Sequence, residues 1–242
     1  MTIRTAETSP LLYARVAGFT FLFYIAAGIT SLALSGRATG GEEIAAKLAN
    51  IAQHTMEMRI VVVLSLLTCF SALVLGVTLY AITREQNRDL AMLALICRVA
   101  EGLAGMFMPR TLALLWLATA TGAHAPDTAS AQALAAFILQ MGAWSPSAIF
   151  FAVGSTLFSW LFLRGRMIPV ALAWLGVLAS ALLVVILPLQ FAGLFGGSAN
   201  WFSMVTWLMW LPMLVYEVAL ALWLIIKGVA MPTPNVAPAG TH

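Results

Sequence analysis

Charge is what this sequence has least of. Only 9% of its 242 residues are Asp, Glu, Lys or Arg, against about 25% in a soluble domain. So few charges cannot cover a water-exposed fold of this length, which excludes a soluble helical domain for most of the chain. Cysteine is scarce as well. Cys69 and Cys97 both fall inside apolar runs, so they read as small packing residues and no disulfide framework is available. The three histidines, His54, His124 and His242, lie in loops or in the tail, so no membrane-embedded metal site is indicated and no cofactor is called for. A net charge of +3 without a clustered basic stripe gives no footing to nucleic-acid binding. There is no mid-span lysine for a Schiff base, no arguable Ser–His pairing and no internal repeat of the inverted kind.

What the chain has in quantity is apolar surface, at 62% of residues. It is gathered into six continuous runs: Val16–Leu34, Ile60–Ile82, Leu90–Leu112, Trp144–Leu163, Ile168–Phe191 and Met204–Ile226. A hydrocarbon core of about 30 Å takes roughly 17–25 helical residues, and every run fits. The runs are unbroken rather than alternating, which excludes a β-barrel, and backbone amides in lipid must be satisfied within the segment. The expected fold is therefore an all-α integral membrane protein, a six-transmembrane-helix bundle formed by residues 1–228, with 229–242 as a disordered, Pro-containing tail. Arg4 and Arg15 before the first run give it some look of a secretory leader. Its length and Glu7 favour an uncleaved span.

Lys and Arg in the flanks set the expected orientation. Arg4, Arg15, Arg84, Arg88, Arg164, Arg166 and Lys227 fall on one side; Arg37, Lys47 and Arg59 fall on the other. That imbalance places both termini in the cytoplasm. Trp116, Trp144, Trp201 and Trp207 would then mark the outer headgroups, with Trp160 and Trp223 near the inner face. Two connections are more than turns. Glu42–Met58 carries Ile44, Leu48 and Ile51 at helical spacing opposite Lys47, Asn50 and His54, as in an amphipathic helix lying on the outer surface between spans 1 and 2. Thr128–Gly142, between spans 3 and 4, is helical in pattern but too short to cross, so a short interfacial helix is expected there.

Three charges interrupt this apolar background at depth. Arg98 and Glu101 sit three apart on the third span and share a helical face, with Gly102 and Gly105 on the same stripe. Glu217 sits in the sixth. At the helical rise, Arg98 and Glu101 lie roughly 13–18 Å in from Asp89, and Glu217 roughly 15 Å in from Lys227, so all three share one level. Each charge at mid-membrane costs about 2.5–3.5 kcal/mol on insertion scales. They are therefore expected to face inward and to share hydrogen bonds, since one guanidinium has five donors for two carboxylates. Arg110, beyond the kink expected at Pro109, is read as a snorkelling or outer-vestibule charge apart from the trio. Trp210, Met213 and Tyr216, one or two turns before or beside Glu217, complete the candidate ligand site, and Met106, Phe107 and Met108 are packing residues able to line it.

Several stretches resemble one bacterial family. Residues 149–169 read Ile-Phe-Phe-Ala-Val-Gly-Ser-Thr-Leu-Phe-Ser-Trp-Leu-Phe-Leu-Arg-Gly-Arg-Met-Ile-Pro, followed by Trp174, Leu175 and Gly176. Residues 216–228 read Tyr-Glu-Val-Ala-Leu-Ala-Leu-Trp-Leu-Ile-Ile-Lys-Gly. With Ala-Arg-Val-Ala-Gly at 14–18 and Arg-Val-Ala-Glu at 98–101, these resemble the multi-pass membrane proteins catalogued as domain of unknown function 4386. The resemblance implies a bacterial inner-membrane protein, singles out Arg98, Glu101 and Glu217, and implies no reaction.

Three functions stay open on the sequence. The trio can hold or carry a small amphipathic or lipid-like molecule, the default meaning of ionisable groups at this depth. It can belong to an intramembrane enzyme in which Glu217 or Glu101, protonated, is the general acid on an isoprenoid or lipid substrate. Or it can be architectural, fixing helix register. The expected partners are the bilayer and such a ligand. Gly28, Gly76, Gly154 and Gly176 suit internal packing or a homo-oligomer interface equally.

Overall fold

The computed structural model describes residues 10–106, 108–122, 125–141, 146–192 and 204–230. Among them every regular element is helical: α1 Pro10–Ala38, α2 Ile44–Gln53, α3 Thr55–Thr83, α4 Arg88–Ala104, α5 Met108–Thr119, α6 Thr128–Met141, α7 Ser147–Arg164, α8 Val170–Phe191 and α9 Met204–Ile226. Six helical stretches are long and apolar enough to cross a membrane: α1, α3, α4 with α5, α7, α8 and α9 from Leu208. The chain is a multi-pass membrane protein with all six spans where the apolar runs fall.

The spans form a closed ring. Each packs on its successor, α1 on α3, α3 on α4, α4 on α7, α7 on α8 and α8 on α9, and α9 returns to α1. The side-chain pattern explains why. Large apolar residues point out, as Phe19, Phe70, Leu178 and Val185 do. Small ones line the inner faces at helical spacing: Ala14, Ala17 and Gly18 on α1, Ala91 and Ala94 on α4, Ala173, Gly176 and Ala179 on α8. With lipid outside there is no hydrophobic gain in putting bulk inside, so close backbone approach decides which faces meet. At Gly18 a Cβ would stand 2.7 Å from the Ala221 carbonyl oxygen, which fixes the α1–α9 seam.

Two expectations need correction. The third apolar run is not one helix. It stops at Ala104 and restarts at Met108, because Pro109 has no amide to donate to Gly105 and its ring collides with that carbonyl. The amphipathic helix predicted over Glu42–Met58 ends at Gln53; His54 turns the chain, and Thr55–Met58 already belongs to α3. Nor does α2 lie alone on the surface. Ile51 is buried with Leu114, Leu117, Ala131 and Ala135, so the short helices α2 and α6 pack on α5, the second part of the third span, and form a lid at that end of the ring. The start of α6 is set by Asp127, which accepts from the Ser130 amide at 3.0 Å and the Ser130 hydroxyl at 2.7 Å. Those bonds, the amide's first, hold the Asp127 carboxyl below the usual carboxylate range.

Phe107, His124, Gly142, Trp144, Trp201 and His242 lie outside the described residues, as do the side chains of Met108 and Trp207. Residues 229 and 230 are described. Val229 packs on the main core, and the Ala230 amide donates to Met167 O at 2.9 Å.

The α8–α9 seam offers a direct check. A Cβ at Gly176 would run into the Tyr216 ring and come within 2.6 Å of Ser159 Oγ. Gly176→Ala is expected to cost about 1–3 kcal/mol through overpacking, seen as a lower unfolding midpoint in detergent. An unchanged midpoint would contradict the seam.

Candidate functional site

The ring has a charged centre. Tyr24 is the middle residue of α1, Ser155 stands at the middle of α7, and Glu217 is the middle residue of the α9 span. Arg98 and Glu101 come to the same level from α4. Four helices thus bring their mid-depth polar groups together, which is where water is least available to satisfy them.

Arg98 is 1% exposed and Glu101 2% exposed, so both depend on protein partners. Arg98 Nη1 donates to Glu101 Oε2 at 2.9 Å, the i,i+3 pairing expected from the sequence. Its Nη2 donates to Ser155 Oγ at 3.0 Å. The second oxygen of Glu101, Oε1, accepts from the Tyr24 hydroxyl at 2.7 Å. Two rings flank the guanidinium, Phe151 at 4.9 Å and Phe21 at 5.7 Å from the ring centroids, a cation–π arrangement that replaces part of the lost hydration.

Glu217 is held differently. Its Oε1 lies 3.7 Å from Arg98 Nη2, an ion pair beyond hydrogen-bonding distance. Among the described residues that buried oxygen has no hydrogen-bond partner, and neither has Arg98 Nε. One carboxylate of the pair is therefore saturated and the other is loosely held. With both ionised, Arg98, Glu101 and Glu217 sum to a net charge of −1.

Of the predicted residues, Arg98, Glu101 and Glu217 meet as expected. Trp210 packs against Phe151 with ring centroids 5.6 Å apart and planes tilted by 35°, and Met213 is buried in the same core. The Tyr216 hydroxyl turns the other way and accepts from Ser159 Oγ at 2.8 Å, between α7 and α8. Arg110 is neither snorkelling nor lining a vestibule. It donates to Ile138 O at 3.0 Å and Leu139 O at 3.2 Å, capping the carbonyls that end α6. Met106 is partly buried at the α4–α5 break.

Tyr24, Ser155, Phe21 and Phe151 are absent from the residues that the sequence singles out. A central position in a span is the signal that could have found two of them. The main chain supports the group as well: Ser147 Oγ donates to Glu101 O at 3.0 Å, tying the start of α7 to the last turns of α4. Among the described residues no three His, Cys, Asp or Glu side chains gather.

The family model described as domain of unknown function (DUF4386) matches residues 16–228, a stretch that contains the whole cluster. No curated protein and no solved structure matches the chain.

The pairing makes distinct demands on variants. Arg98→Leu strands two buried carboxylates and is expected to cost about 3–5 kcal/mol. Tyr24→Phe removes one donor from Glu101 and is expected to cost about 1–3 kcal/mol. Replacing Arg98, Glu101 and Glu217 together by Leu removes the demand along with the supply, so the triple variant should unfold closer to wild type than Arg98→Leu does. Chemical denaturation in a mild detergent reads all three, and a triple variant less stable than Arg98→Leu would refute the pairing account.

Proposed function

Belonging to the family described as domain of unknown function (DUF4386), this chain is a multi-pass membrane protein, and we propose that it binds or transports a small amphipathic or lipid-like molecule at the Arg98–Glu101–Glu217 cluster. The observation that carries the proposal is the unequal satisfaction of the two carboxylates. A purely architectural cluster would close every valence, because an unmatched buried polar atom is costly. Glu101 is closed in that way. Among the described residues Glu217 keeps an oxygen without a donor, and the guanidinium that it faces keeps Nε without an acceptor.

A ligand head that carries a hydroxyl or ammonium donor fits this arrangement. Arg98, Glu101, Tyr24 and Ser155 act as the fixed frame, with Glu217 as the group that engages the ligand. Trp210, Met213 and Phe151 supply apolar walls for its tail. Tyr24 is only partly buried whereas Arg98, Glu101, Ser155 and Glu217 are buried, which favours entry from the α1 side. In this reading the protein sits in the bacterial inner membrane with both termini in the cytoplasm, as the Lys and Arg distribution favours.

Glu217→Gln keeps size and removes charge. In purified protein titrated with dodecylamine and dodecanol, the wild type is expected to gain thermal stability with one or both. The variant should fold and should bind at least about tenfold more weakly, the effect of losing one charge-assisted hydrogen bond. Equal stabilisation of the two proteins, or none of the wild type with either compound, would count against Glu217 as the engaging group.

A further inference from the structure

At the end of the ring opposite the short-helix lid, four chain segments converge. A Cβ on Gly228 would lie 2.8 Å from Leu11 Cδ1, and one on Gly165 would lie 2.7 Å from Gln86 Cδ, so the start of α1, the α3–α4 turn, the α7–α8 turn and the end of α9 pack together. Between the last two is a depression of about 400 Å³ lined by Arg166, Ile168, Pro169, Trp223, Lys227 and Gly228. Arg166 and Lys227 are exposed, and among the described residues neither forms an ion pair. The surrounding charge has one dominant sign. Arg15, Arg84, Arg88 and Arg164 are also exposed at this end, against Glu85 and Asp89, and Glu85 is already paired with Arg84 at 3.3 Å.

Arg166 occupies an unfavourable backbone position. Helix α7 closes with the Arg166 amide donating to Leu163 O at 3.2 Å and the Met167 amide to Phe162 O at 3.1 Å. That pair of bonds is the Schellman ending, in which the residue at Arg166 must be left-handed and is usually glycine. Arg166 has φ 48°, the one non-glycine residue with positive φ among those described. The neighbouring Gly165 has φ −80°, which any residue can adopt. A side chain with a Cβ held where glycine would be at ease points to a use for that side chain.

The other lining groups favour one kind of ligand. Pro169 is the N-cap of α8, so the positive end of a 22-residue helix faces the same region as the two cations. Trp223 and Ile168 add an apolar wall next to Lys227, where α9 reaches the membrane boundary. Cations, a helix N-terminus and an interfacial tryptophan together match an anionic headgroup whose acyl chains stay in the bilayer.

We propose that this depression binds the phosphate of an anionic phospholipid, with Arg166 and Lys227 supplying the charge and Trp223 and Ile168 seating the glycerol end. The site is separate from the Arg98 cluster and does not depend on what that cluster binds.

The test uses the full chain in detergent, titrated with phosphatidylglycerol, phosphatidylcholine or inorganic phosphate while thermal unfolding is followed. The wild-type midpoint should rise with phosphatidylglycerol and not with the other two. Arg166→Gly relieves the left-handed strain, so the Arg166→Gly, Lys227→Gln pair should match or exceed the wild-type midpoint without lipid. It should also need roughly thirtyfold more phosphatidylglycerol for the same rise, about fivefold for each cation removed. Lys227→Gln alone should need about fivefold more, which keeps the test intact if the double variant folds poorly. Arg84→Gln with Arg88→Gln, at the same end but outside the lining, should respond like wild type. An undiminished response in the Arg166/Lys227 pair, or an equal loss in the Arg84/Arg88 pair, would overturn the site. An equal rise with inorganic phosphate would overturn the lipid assignment.

Discussion

A guanidinium inside an apolar ring has to be surrounded by acceptors and by ring faces, and Arg98 places that demand at the centre of this bundle. The demand reaches beyond its own helix. Ser155 on α7 and Glu217 on α9 answer it directly, and Tyr24 on α1 answers it through Glu101. Phe21 and Phe151 close over the charge from α1 and α7. The helices that give Arg98 no side-chain partner serve the same centre at one remove. On α3 a Cβ at Gly76 would lie 3.1 Å from Arg98 Cβ, and α8 braces α7 through the Thr156–Ser180 hydrogen bond at 2.9 Å.

The centre divides into a stiff part and a loose part. Glu101 has a donor on each oxygen and a backbone carbonyl tied to Ser147, so its position is over-determined. Glu217 has a 3.7 Å ion pair and an unmatched oxygen. Similar residue types at similar depth differ because Glu101 lies one turn from its arginine on the same helix, whereas Glu217 must reach across the ring. Local pairing is set by helical geometry; pairing across the ring depends on how the whole ring closes.

Much of this was legible in the sequence for a plain reason. Lipid forbids charge and unsatisfied backbone, so span positions and the inward trio follow from composition along the chain. What stayed hidden required knowledge of neighbours. Tyr24 reads as one more aromatic in an apolar run and Ser155 as one more small residue; only the packing of α1 and α7 on their partners makes them a donor and an acceptor. Arg110 was misread because its partners are main-chain carbonyls left over where α6 ends, and residue types do not record which carbonyls a helix leaves open. Pro109 announced a bend, but the full interruption from Gly105 appears only when its missing amide is traced back to the carbonyl it would have served.

The order of helices around the ring also bears on how the protein is made. Each neighbouring pair consists of successive spans, except α1 with α9. A chain that enters the membrane from its N-terminus can build every seam as soon as the next span arrives, until that last one. Arg98 meets Glu101 within its own helix, Glu101 accepts from Tyr24 of a span already inserted, and Ser155 follows. Glu217 arrives only with the final helix, and the Gly18–Ala221 seam locks behind it. The loosest contact of the charged centre is therefore also the last to form, so a chain that stalls before α9 carries its arginine and its saturated glutamate into an open ring that has not yet received its second carboxylate.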